Sequence, residues 1–190
     1  MRVLVRILVV VAVLAGAFGV LWFTGLLVPV SQNGTADMAP SIPGCNGRVL
    51  VEGYTYRRRD PHRSEIVAIH ASGTTDGDVT PDADARDVTV MSRVVALPGD
   101  VVVGRDGNAY VNEFKIDDIQ TAPFPRTEVG PDRYYVLGDN RSDARDSRDF
   151  GPVPREAIFG RVLWVVWPLG DFGSPELRRE GPPPGPGLCD

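Results

Sequence analysis

Ile7 to Val30 is an unbroken run of 24 residues with no charge. As a helix it would reach about 36 Å, enough to cross a hydrocarbon core of about 30 Å with some tilt. Arg2 and Arg6 precede it. Positive charge stays on the cytoplasmic side, so residues 1–6 are expected in the cytoplasm and the rest of the chain outside the plasma membrane. Trp22 and Phe23 lie near the outer end, where an aromatic belt fits. The apolar region of a cleaved signal peptide spans about 7–15 residues. This run is longer, so an uncleaved single-pass anchor is expected.

The anchor leaves roughly 150 residues, enough for one core and one domain. The chain holds 21 glycines and 17 prolines. That suits a turn-rich β protein better than a helical bundle. A net charge of -5 argues against nucleic acid as a partner. Alternation and β-forming residues predict strands at Arg48–Glu52, Glu65–His70, Val88–Ala96, Val101–Val103, Ala109–Asn112, Lys115–Ile116, Arg133–Leu137 and Ala157–Val165. Asp106-Gly107 is a hairpin signal. A mainly β domain over residues 31–172 follows, with a Pro/Gly-rich disordered tail at 173–190. Ser72 to Asp87 holds Asp76, Asp78, Asp82, Asp84 and Asp87 but lacks the spacing and closing glutamate of a calcium loop. It reads as a solvated loop, and no metal or cofactor is expected. Trp164 and Trp167 read as core or membrane-facing packing. Cys45 and Cys189 are the only cysteines. Outside the cell they can form a bridge, or stand as two unrelated thiols.

Four ordered segments resemble the type I signal peptidases. Asp37-Met38-Ala39-Pro40-Ser41-Ile42 is similar to the family's S-M-x-P-T-L. Arg59-Asp60-Pro61-His62-Arg63-Ser64-Glu65-Ile66-Val67 resembles R-x-P-x-R-G-D-I-V. Ser92-Arg93-Val94-Val95-Ala96-Leu97-Pro98-Gly99-Asp100 resembles K-R-V-I-x-L-P-G-D. Gly138-Asp139-Asn140-Arg141 through Asp146-Ser147-Arg148, then Gly151, is close to G-D-N-R-x-x-S-x-D-S-R-x-x-G. Any one segment is weak, but the ordered set is specific. It implies a signal-peptidase-like β domain on an N-terminal anchor, acting on the signal peptides of secreted preproteins.

The resemblance also implies a Ser/Lys dyad. The serine attacks the scissile carbonyl, and a lysine kept neutral by burial takes its proton. A lysine at its usual pKa of about 10.4 would stay charged and could not act as the base. Asp37 stands at the nucleophile position and Ser92 at the general-base position. Ala144 stands where the family has a supporting serine. The only lysine, Lys115, lies in a hairpin past the Leu97–Asp100 turn. Thr35 matches the hydroxyl that helps the backbone N–H at position 37 bind an oxyanion. The residues expected to serve turns and ion pairs remain: Met38, Pro40, Arg93, Pro98, Gly99, Asp100, Gly138, Asp139, Asn140, Arg141, Asp146, Ser147 and Arg148.

Three functions stay open at this level. The chain can be an inactive homologue that keeps a peptide-binding groove and associates with signal peptides or an active peptidase. It can be a peptidase with a rearranged pair in which Ser92 attacks and Asp37 is the base. It can also be a non-enzymatic interaction domain on a membrane anchor.

Overall fold

The computed structural model describes residues 2–23, 27–31, 36–44, 47–73 and 79–175. Helix α1 spans Arg2–Phe23. Its stretch Val3–Val20 has a mean hydropathy of 2.7 and is not buried against the other described residues. A helix of this length and composition can cross a bilayer. The apolar run does not stay helical to Val30, as the sequence reading expected. Leu27–Ser31 instead forms strand β1. Pro29 lacks the N–H a helix interior needs, and Val28 and Val30 are β-branched.

The strands that follow are β2 (Arg48–Glu52), β3 (Ile66–Gly73), β4 (Val79–Pro81), β5 (Val88–Ala96), β6 (Val101–Arg105), β7 (Asn108–Val111), β8 (Phe114–Lys115), β9 (Phe124–Glu128), β10 (Arg133–Leu137), β11 (Val153–Pro154) and β12 (Ile158–Trp167). Helix α2 is the single turn Ser147–Phe150. The larger sheet runs β1-β2-β12-β3-β5-β10-β11, with β4 beside β3, and a four-stranded sheet runs β8-β7-β6-β9. The β6–β7 hairpin turns at Asp106 and Gly107, whose φ angles of 52° and 74° are the positive pair that a two-residue hairpin prefers.

Alternation along β3 explains why the large sheet is covered on both faces. Ile66 and Ala68 join Met38, Ile42, Val51, Met91 and Val162 in one core. Val67 and Ile69 point the other way, toward Tyr56, Val90, Val94, Val136 and Ile158. A third cluster joins Val95, Tyr135 and Leu137 to Val102, Val111 and Phe124 of the small sheet. Trp164 and Trp167 are about half exposed, at 44% and 47%. They are therefore not core residues. Trp22 and Phe23 lie in α1, and their side chains are outside the described set, as are Cys45, Cys189, Asp76, Asp78 and the chain from 176 onward.

Candidate functional site

Segment 36–42 enters the core at Met38 and Ile42, both fully buried. The Ile42 N–H donates to the Met38 carbonyl at 2.8 Å. This turn leaves Asp37 half-buried on its shoulder. The Asp37 carbonyl accepts the Asn140 N–H at 2.9 Å, and Asn140 Nδ2 donates to the Ala36 carbonyl at 3.2 Å. Gly138 makes this docking possible. A Cβ there would lie 2.7 Å from the Asp37 oxygen and 2.2 Å from the Ala144 Cβ, closer than packed atoms approach.

The retained motif residues form the frame around this junction. Arg93 and Asp139 make a buried two-pronged ion pair, Nε to Oδ1 at 2.7 Å and Nη2 to Oδ2 at 2.5 Å. The Ser41 hydroxyl donates to the same Asp139 at 2.5 Å, and Arg93 Nη1 donates to the Ser64 carbonyl at 2.7 Å. Such a pair survives burial because most of its donors and acceptors are satisfied. Arg141 donates to the Gly138 carbonyl, Thr121 Oγ1 and Asp117. Asp146 accepts the Gly138 N–H at 2.9 Å, caps α2 and pairs with Arg148. Ser147 Oγ accepts the Val136 N–H at 2.9 Å. Asp100 accepts from the Leu97 N–H, Arg63 and Asn112, closing the Pro98-Gly99 turn.

The positions expected to carry chemistry fall differently. Asp37 and Ala144 both meet the Gly138–Asn140 segment. Ser92 lies in the middle of β5, opposite Val67, on the face it shares with Val90 and Val94. It is 1% exposed, and its hydroxyl makes no hydrogen bond. Asp37 therefore does not bond to it. Thr35 lies outside the described residues. Lys115 sits on β8 of the small sheet, in an ion pair with Asp118 at 2.7 Å. That pair raises its pKa and keeps it protonated.

Electrostatics single out Asp37. Burial, then the charges of Asp143 and Asp146, push its carboxyl up to about 6 from 3.8, while Arg145 opposes the shift. A carboxylate at this position is held against its preference for charge. Ala144 also lines a cleft of about 750 Å³ between residues 120–125 and 141–149. Its walls carry both signs of charge, Arg145 and Arg148 against Asp143 and Asp149.

The edge of β5 gave no obvious sign in the sequence. The Val94 N–H donates to the Glu65 carbonyl, and the Val94 carbonyl accepts from the Ser64 N–H. Both backbone groups of Val94 therefore point toward β3. By alternation, those of Arg93, Met91 and Thr89 point the other way. Strand β10 occupies that side only as far as Leu137 opposite Arg93. Among the described residues, no strand covers the outward edge at Thr89 and Met91. Ser41 was also not singled out as a site residue. Its only signal was its place at the threonine of the first motif.

The family profile described as "signal peptidase, peptidase S26" matches residues 1–167. The chain is 37% identical over 153 residues to a probable signal peptidase I-2 of Synechocystis sp., covering 77% of this chain and 67% of that one. It is 34% identical over 137 residues to the mitochondrial ATP-independent inner membrane protease subunit 1b of Arabidopsis thaliana, covering 72% and 69%. A crystal structure of a signal peptidase I from Enterococcus faecalis is similar at 25% identity with a TM-score of 0.42, over 54% of this chain and 97% of that one.

Proposed function

The chain belongs to the signal peptidase, peptidase S26, family, and from that premise we propose that it holds the signal peptides of preproteins without cutting them. One observation carries this reading: among the described residues, neither family position holds a nucleophile bonded to a base. The Ser92 hydroxyl has no acceptor for its proton. The sole lysine is protonated and paired elsewhere. The carboxylate at position 37 is a poor attacking group toward an amide. With Ala144 at the third position, the whole constellation has changed together while its frame persists.

Peptide binding rests on the edge of β5. Outward N–H and C=O groups at Thr89 and Met91 would take an extended peptide as an added strand, beside Asp37. In this reading α1 is the anchor, its N-terminal arginines are cytoplasmic, the β domain lies outside the plasma membrane, and an active signal peptidase is a natural partner. A second reading has one observation in its favour. The raised pKa of Asp37 moves a carboxylate toward the range of a general base for Ser92. The missing Asp37–Ser92 hydrogen bond counts against it.

The test uses the full-length chain in detergent and a fluorescent signal peptide. Binding is expected, and Asp37→Ser with Ser92→Lys and Ala144→Ser should add cleavage to it. No binding by the wild-type chain would remove the proposal. Binding without cleavage by the triple variant would place the loss of activity beyond these three positions.

A further inference from the structure

The turn after β2 is held rigidly from inside. The Glu52 carboxylate accepts the N–H groups of Tyr54 and Thr55 at 3.0 and 3.1 Å. Tyr56 is buried in the core and donates its hydroxyl to Glu65 at 3.0 Å. Arg155 donates to the carbonyls of Tyr56 and Arg59. The backbone that carries the outward side chains is therefore held in place. Tyr54 is 44% exposed, and Arg57 and Arg58 are exposed. The Arg58 guanidinium lies 4.7 Å over the Tyr54 ring.

The neighbouring arginines have carboxylate partners: Arg59 with Glu65, Arg63 with Asp100, and Arg155 with Asp60. Arg57 and Arg58 have none among the described residues. The turn is also close to the anchor. From Phe23, the last residue of α1, to Leu27 the chain reaches at most about 14 Å. Leu27 pairs with Glu52 at about 5 Å between Cα atoms, and Tyr54 is two residues further on. The rest of the chain carries a net negative charge and is repelled by an anionic surface, so a cationic tip beside the anchor selects which end faces the bilayer.

We propose that the Tyr54–Arg58 turn docks on the headgroups of anionic phospholipids next to the anchor, with Arg57 and Arg58 on the phosphates and Tyr54 at the interface. This fixes how the domain stands on the membrane, and it does not depend on the peptide-binding reading.

The full-length chain would be placed in nanodiscs of zwitterionic lipid or of the same lipid with anionic phosphatidylglycerol. Co-elution with both discs reports the anchor separately. Tryptic cutting after Arg57 and Arg58 is then measured relative to cutting after the exposed Arg126. Each arginine at an anionic surface favours docking by about 5-fold, so cutting should slow by about 5–25-fold in the anionic discs. The protection should vanish in 0.5 M salt. In R57Q/R58Q, chymotryptic cutting at Tyr54 should become independent of lipid charge. Equal cutting in the two discs would overturn the proposal. So would equal protection by inorganic phosphate in zwitterionic discs, which would mark a phosphate site and not a lipid contact.

Discussion

Replacing Asp37 by asparagine removes one carboxylate from a half-buried place flanked by Asp143 and Asp146 and keeps the side-chain shape. Asp37 holds its proton up to about pH 6 in the fold and to about 3.8 in the unfolded chain. The fold therefore binds that proton more tightly. Its stabilising contribution is complete below pH 3.8 and is lost as pH rises through about 6. A shift of about two units corresponds to about 3 kcal/mol, and partial exposure to water reduces it to about 1–2 kcal/mol. Asp37→Asn should thus be more stable than wild type by about 1–2 kcal/mol at pH 8, or about 3–6 °C in Tm for a domain of this size. Most of that gain should be absent at pH 4. Thermal unfolding of the detergent-solubilised full-length chain, followed by tryptophan fluorescence at the two pH values, reads the difference directly. Equal gains at both pH values, or a less stable variant at pH 8, would refute the reasoning. The physical meaning is that the ionised carboxylate at position 37 is electrostatically strained.

Further outcomes follow from the frame around the site. Ser64 has a φ of 69° where the family motif has glycine, so Ser64→Gly should stabilise the fold by about 0.5–1 kcal/mol in urea titrations. Asp139→Ala would leave Arg93 charged and buried and should destabilise by about 3–5 kcal/mol, with part of the loss recovered by Arg93→Met in the same chain. Gly138→Ala forces a methyl against Ala144 and the Asp37 carbonyl and should cost about 1–3 kcal/mol. Ser92→Ala removes a buried hydroxyl that has no partner; it should leave stability unchanged or raise it by about 1 kcal/mol.

The strands at Arg48–Glu52, Val88–Ala96 and Arg133–Leu137 were legible residue for residue, because alternation and β-branched residues agree there. Strand β1 was hidden because Leu27–Val30 continues the apolarity of the helix, and only Pro29 marks the change. Strands β9 and β11 were missed for the opposite reason. Their prolines and charged residues carry little hydrophobic pattern, and their pairing comes from neighbours far along the chain. At the site, the motif positions could be read from spacing. The sharing of Asp139 between Ser41 and Arg93 could not, because those residues are 98 and 46 positions away from it. The open edge of β5 depends on where β10 stops, which is a property of the assembled sheet.

The proposal that the frame persists without an attacking group and its base has one most direct test. The full-length chain in lipid is incubated with a preprotein carrying a small-residue cleavage site, and the products are read by mass spectrometry. The predicted result is intact preprotein, with no fragment ending at the signal-peptide junction. A junction fragment from the wild-type chain that disappears in Ser92→Ala would contradict the account and show that Ser92 attacks.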